Sequence, residues 1–267
     1  MPPYTATTLM NRYVLLSIVA VAGLSAWNQS RPQETGWKSI FNGKDLAGWS
    51  PKIRGHKYGE NFANTFRVKD GVIQVSYDSY DGKFNERFGH LFYKSPFSRY
   101  RFRCEYRFIG QQAPDGPGWA YRNSGIMVHG QDPKTMELDQ DFPVSAEVQL
   151  LGTDAGVERT TGNLCTPGTN VVMDGKLITH HCTNSTAPAP VADAWSTIEI
   201  VVDGNKVVEH WVDGKLAMKY EQVQYDPNDG SAKRLIKGDN LMISGGSISL
   251  QSESHPVEFR KIEIKPL

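Results

Sequence analysis

Neither sign of charge is in excess in this chain of 267 residues: 29 Lys and Arg stand against 29 Asp and Glu. A balanced chain lacks the basic face that a polyanion needs, so no nucleic-acid partner is expected. Cysteine is scarce, with Cys104, Cys165 and Cys182 alone, and no Cys-x-x-Cys or Cys/His cluster has the spacing of a zinc site. No Gly-x-Gly-x-x-Gly follows a strand pattern, and no phosphate loop ends in Gly-Lys-Ser/Thr, which excludes the usual nucleotide cradles. Gly-x-Ser-x-Gly is missing too, and with it the serine-hydrolase elbow. Beyond the first 25 residues no segment sustains a 3.6-residue apolar period, which argues against a helical or Rossmann architecture.

The one long apolar run, Val14 to Leu24, follows Arg12 and precedes the small residues Ser25 and Ala26. It is short for a transmembrane helix and has the layout of a cleavable export signal, with an uncleaved anchor as the alternative. No Cys follows it, so a lipid anchor at the cleavage site is not expected. The sequence thus divides into a signal over 1–25, a polar lead-in over 26–35 and one domain over 36–267. The domain is expected outside the cytoplasm, periplasmic or extracellular, with no stable membrane span once the signal is removed.

From Trp37 onward the chain reads as short strands separated by turns. Expected strands include Thr65–Val68, Val72–Val75, Leu91–Tyr93, Tyr100–Ile109, Ser124–His129, Ala146–Leu151, Ser196–Val202, Lys206–Val212, Leu216–Tyr220, Ser247–Gln251 and Val257–Lys265. Four Asp-Gly pairs, at 70–71, 174–175, 203–204 and 213–214, suit tight hairpins because both residues tolerate positive φ. Many short strands with Gly- and Pro-rich turns predict a sandwich or barrel. In the 100–109 strand, Tyr100, Phe102, Cys104, Tyr106 and Phe108 alternate with charged residues, so Cys104 is expected as a buried free thiol. Two irregular stretches, 110–122 and 153–194, are long enough to build a ligand mouth. Cys165 and Cys182 bracket part of the second. In an oxidising compartment they are natural disulfide partners, a bridge of about 3 kcal/mol in the chain-entropy model.

Five landmarks occur in order. They are Gly36-Trp-Lys-Ser-Ile-Phe-Asn-Gly-Lys-Asp-Leu-Ala-Gly-Trp49, Asn123-Ser-Gly-Ile-Met-Val-His129, Glu147-Val-Gln-Leu-Leu-Gly152, Glu209-His-Trp-Val-Asp-Gly214, and the closing Ile248-Ser-Leu-Gln251 through Val257 to Leu267. Together they resemble the 3-keto-disaccharide hydrolase family over nearly the whole chain after the signal. The resemblance implies an all-β, two-sheet antiparallel concanavalin A-like jelly-roll sandwich. It also implies a carbohydrate partner and cleavage of glycosides whose glucose carries a ketone at C3. Family 16 glycoside hydrolases share the fold but carry Glu-x-Asp-x-x-Glu on one strand. Glu147-Val-Gln-Leu-Leu-Gly152 keeps one carboxylate, so the strand by itself does not support a two-carboxylate retaining mechanism.

A C3 ketone acidifies the proton on C2. A base removes it, the glycosidic oxygen leaves, and water adds to the unsaturated sugar. The scheme needs a base, an acid and a stabiliser for the enolate. Strand alternation puts Asn123, Gly125, Met127 and His129 on one face of their strand and Glu147 and Gln149 on one face of theirs. If the two strands pair, His129 and Glu147 share a surface. Ser247, Ser249 and Gln251, with Glu253 and His255 if the chain stays extended, give a third polar row. The catalytic candidates are therefore Glu147 and His129, to which the family resemblance, rather than spacing, adds His210. His210 lies opposite Trp211 on its strand, so only one of that pair can face the site. Arg122, Asn123, Gln149, Trp119, Gln251 and Glu253 are the candidates for holding sugar. His180 and His181 read as a solvated loop. The acidic loop of Asp132, Glu137, Asp139 and Asp141 offers oxygen ligands for a divalent cation such as calcium, the one cofactor considered, with no EF-hand spacing and no metal ligand assigned. The same fold serves non-catalytic carbohydrate-binding modules, which is the alternative function.

Overall fold

A computed structural model describes Met1 and residues 36–267. The expected signal over 1–25 and the expected lead-in over 26–35 lie, Met1 apart, outside the described residues. The domain is an all-β sandwich of two antiparallel sheets, as the strand pattern predicted. With strands numbered along the chain, the first sheet has seven. Their order is β13 (Cys182–Thr183), β10 (Asn163–Cys165), β8 (Ala146–Leu151), β7 (Asn123–Gly130), β18 (Ser247–Ser252), β5 (Gly89–Tyr93) and β2 (Trp49–Ile53). The second runs β12 (Lys176–Ile178), β11 (Thr169–Met173), β17 (Lys215–Tyr225), β16 (Val207–Val212), β15 (Ser196–Asp203), β6 (Arg99–Phe108), β19 (Val257–Pro266), β4 (Val72–Val75) and β3 (Phe66–Lys69). β1 (Lys38–Ser39) joins it alongside β19, and β9 (Thr160–Thr161) and β14 (Ala187–Pro188) form a separate ribbon.

The core lies between the sheets and follows from period-2 alternation. In β6, Tyr100, Phe102, Cys104, Tyr106 and Phe108 all point inward and are at most 1% exposed. Burial pushes the Cys104 thiol well above its ordinary pKa, so it stays protonated and inert. The outward residues of the same strand form cross-strand ion pairs: Arg101 with Glu199, Arg103 with Glu263, Arg107 with Glu258, and Glu105 with Arg260. Arg107 and Arg260 also lie over the Trp195 ring. Such pairs contribute roughly 0.2–1 kcal/mol each and chiefly fix register.

Three of the four Asp-Gly pairs take positive φ at both residues, at 70–71, 174–175 and 213–214. That is the backbone of a tight two-residue hairpin. At 203–204 only Gly204 does so, because Asp203 still pairs with Val207 and the connection is longer. Strands in two parts of the chain escaped the sequence pattern. Pro51 hid β2, which sits at a sheet edge where a missing N–H is tolerated. The 153–194 stretch is not irregular throughout but holds β9 to β14, several only two or three residues long.

Candidate functional site

The inner side of the seven-stranded sheet is apolar: Ile53, Leu91, Leu250, Ile126, Val148 and Leu164 all join the core. Their alternating neighbours face outward, and the register aligns them in rows across the strands. One row runs Lys52, His90, Gln251, with Gly125 one pairing step beyond, then Gln149 and Asn163. The next runs Phe92, Ser249, Met127, Glu147, Cys165 and Cys182. An outward face on an antiparallel sheet is ordinarily solvated. Here loops roof it, so Lys52, His90, Gln251, Ser249 and Glu147 are all at most 5% exposed.

Between roof and sheet lies a cavity of about 390 Å³, within the range of small-molecule sites. Trp119, Asn123, Phe142, Glu147, Gln149, Cys165, Pro167, His181, Cys182 and Glu253 line it. Its polar end is the sheet; its apolar end is Trp119, Phe142, Pro167 and the disulfide. Trp119 stacks on Phe88 at 5.7 Å and is 55% exposed, leaving one ring face open. Phe142 packs on Phe88 and edge-on to His90. Cys165 and Cys182 are bonded to each other and tie β10 to β13 at the sheet edge.

Two carboxyls meet at the floor. Glu147 comes from the middle of β8 and Glu253 from the residue just past β18. The sequence showed one carboxylate on the strand; the chain supplies the second from 106 residues downstream. Burial raises the Glu147 pKa to about 8. Burial also holds Glu253 well above the ordinary range, with the Glu147 charge adding to the effect and Arg159 opposing it. Two desolvated acids that repel each other's charge titrate as a unit, and the pair keeps a proton at neutral pH. Glu147 Oε1 and Glu253 Oε2 have no hydrogen-bond partner among the described residues, nor do Asn123 Oδ1 and both amide atoms of Gln251. Buried polar atoms are rarely unsatisfied, so this concentration is what a polar ligand site looks like. Gly125 makes the geometry possible. A Cβ there would meet Glu147 Oε1 at 2.5 Å, so the carboxyl lies across the bare backbone of β7.

Of the residues picked out in the sequence, Glu147, Gln149, Asn123, Trp119 and Glu253 come together. Gln251 belongs to the floor, between His90 and β7, but does not open into the cavity. The others lie elsewhere, each for a structural reason. His129 does not share the Glu147 surface. Its φ of +53° and the bulge between β7 and β18 break the alternation. Its ring is buried facing the Gly204 backbone of the other sheet, at the edge of a separate cleft with Asp132, Tyr225 and Arg234. His210 sits on the inner side of the ten-stranded sheet, fully buried. Its Nδ1 reaches the Gly162 carbonyl at 2.8 Å and its Nε2 the Tyr220 hydroxyl at 3.1 Å, so both nitrogens are occupied in the core. Trp211 is the outward member of that pair and donates to Glu209. Arg122, at φ +45°, spends its guanidinium on Asp154, Asp193 and the Ala192 carbonyl. The third row stays extended only to Glu253: Ser254 turns at φ +88°, and His255 packs against Tyr121 and Phe108 instead.

The acidic loop is not gathered into a cation site. Asp132 accepts from the Lys134 N–H, Glu137 pairs with Arg234 and Asp141 with Arg54. Among the described residues, the one group of three potential ligands within reach of each other is Cys165, His181 and Cys182, whose two sulfurs are already joined. Sequence reasoning missed His90, Lys52 and Arg159. The signal for His90 was present, since Leu91 pointing inward puts His90 outward beside Gln251. Burial first and the Lys52 charge second lower its pKa to about 3, so it is neutral. Arg159 donates to the Tyr121 and Gly152 carbonyls. No strand pattern marks it.

A family model described as a 3-keto-alpha-glucoside-1,2-lyase-like domain matches residues 36–265. No curated protein matches the chain significantly. Two solved structures from Parabacteroides distasonis ATCC 8503, both described as candidate glycosyl hydrolases, superpose on it. One has 18% identity, covers 87% of this chain and 94% of its own, and gives a TM-score of 0.50. The other has 15% identity, covers 86% and 99%, and gives 0.51. At such identities the likeness establishes the sandwich fold.

Proposed function

The chain belongs to the 3-keto-alpha-glucoside-1,2-lyase-like family, and on that premise we propose that it cleaves 3-keto-glucosides by elimination across C1 and C2, outside the cytoplasm, with 3-keto-disaccharides among its substrates. The observation that carries this reading is the buried carboxyl pair at the floor of a cavity of sugar-binding character. A pair in which Glu147 ionises while Glu253 keeps its proton offers a base and an acid together. Glu147, when ionised, takes the proton from C2. Protonated Glu253 donates a hydrogen bond to the C3 oxygen as its charge develops, the role a neutral carboxylic acid in a dry site can fill. The C1–O bond then breaks and a C1–C2 double bond forms, to which water adds in a later step. Gln149 and Asn123 hold sugar hydroxyls, and the open face of Trp119 stacks on the ring.

The test is to offer the domain 3-keto-trehalose, 3-keto-sucrose and their unoxidised parents, with and without a chelator. Cleavage of the oxidised sugars alone is expected, and the chelator arm reads out any metal requirement. Binding of the sugars without cleavage would replace the enzyme with a binding module. The same account assigns Gly125 a positioning role. Gly125→Ala is expected to push the Glu147 carboxyl aside and lower kcat by about 100-fold with KM little changed, because small misplacements of a reacting group are costly. An unchanged kcat in a folded Gly125→Ala protein would contradict that placement.

A further inference from the structure

In an α-glucoside the C2 hydrogen and the C1 oxygen are trans-diaxial. Elimination therefore draws its base and its acid from different sides of the ring. Glu147 and Glu253 both rise from the sheet floor, so they serve C2 and the C3 oxygen and leave the departing oxygen without a donor. Apart from them, the titratable side chain lining the cavity is His181. We propose that His181 is the general acid that protonates the glycosidic oxygen as it leaves; this rests on the elimination reading above.

The placement follows from the sheet edge. Cys165 is directly opposite Glu147 in the β8–β10 pairing, and Cys182 is opposite Cys165 in the β10–β13 pairing. A ring nitrogen of His181 and the two sulfurs all lie within 4.8 Å of one another. The imidazole thus stands over the disulfide, on the wall two strands out from Glu147. Its backbone is fixed on one side by the bond from Cys182 to Cys165. On the other, its carbonyl accepts from the Thr166 N–H at 2.8 Å and the Thr166 hydroxyl at 3.2 Å. His180, next to it, meets the Thr183 hydroxyl and does not line the cavity. His181 is exposed at the rim, so it can be reprotonated from solvent after each turnover. Partial burial lowers its pKa, which makes the imidazolium a stronger donor.

In the step itself, the C2–H bond gives its proton to Glu147 and its electron pair to the C1–C2 double bond. The C1–O bond breaks toward oxygen, and the imidazolium proton of His181 ends on that oxygen. Nothing is oxidised or reduced. Solvent then returns the proton to His181 and removes the one on Glu147.

A general acid matters in proportion to how poor the leaving group is. The test compares wild type, His181→Gln and His180→Gln on nitrophenyl and methyl 3-keto-α-glucosides. For His181→Gln, a loss of about 100-fold or more is expected on the methyl glucoside. Near-wild-type cleavage is expected on the nitrophenyl glucoside, whose leaving group needs no proton. His180→Gln should match wild type on both. An equal loss on both substrates, or no loss on either, would overturn the assignment while leaving the elimination intact. Wild type inactive on both would overturn the functional reading and this assignment with it.

Discussion

Glu147→Gln is expected to lower kcat on a 3-keto-glucoside by about 100- to 10,000-fold, the range that a general base contributes, with KM changed little. The substitution keeps the size of the side chain and its capacity to hydrogen-bond sugar, and removes only the ability to take a proton. Glu253→Gln should cost less, because an amide N–H can still donate to the C3 oxygen. That asymmetry separates the two roles. Stopped assays on the purified variants read it directly. Equal losses at both positions would mean that the pair works as a single electrostatic unit and that the division of labour is wrong.

A second large effect concerns stability against pH. A carboxyl whose folded pKa is raised favours the folded state below its unfolded pKa, about 4.3. That contribution is lost progressively as pH rises from the unfolded pKa through the folded one, because over that window the unfolded chain has released a proton that the folded protein still holds. For Glu147 the folded value is about 8, so the fall is still under way at pH 7 and levels off by about pH 9. The buried histidines act in the opposite sense and in another window. His90 is held at about 3, and His129, His210 and His255 at about 4. Their stabilisation is present above the ordinary histidine pKa and is lost as pH falls through these values, so it is constant above pH 7. The buried Cys104 thiol also costs stability toward pH 9, but equally in both proteins, so the difference between wild type and Glu147→Gln in urea unfolding across pH 7–9 isolates the carboxyl pair. Wild type should lose stability over that range, and Glu147→Gln should lose much less and exceed wild type at pH 9. Parallel curves for the two proteins would show that the pair is not desolvated as described.

The sandwich was legible because alternation is a local property. The Tyr100 to Phe108 strand, the 146–151 strand and three Asp-Gly hairpins could be read one residue at a time. The site was legible wherever a strand stayed regular: Glu147, Gln149 and Asn123 face the cavity because β7 and β8 alternate there. It failed at backbone irregularities, which leave no mark in a period-2 pattern. Positive φ at His129 and Ser254 turned His129 and His255 off the expected face. His210 obeyed alternation, but alternation does not tell which sheet a strand joins, and its strand went to the other one. The Glu147–Glu253 pair and the place of His181 depend on strand order, β13-β10-β8-β7-β18, which is a tertiary outcome. His181 read as loop because nothing local shows that the disulfide folds that loop over the sheet.

The central claim is that the reaction begins by removing the C2 proton. The most direct test is the kinetic isotope effect on kcat/KM for a 3-keto-α-glucoside carrying deuterium at C2. The account predicts that deuterium slows cleavage several-fold and is lost to solvent from the sugar product. Equal rates with deuterium retained at C2 would contradict it and point to direct displacement at C1.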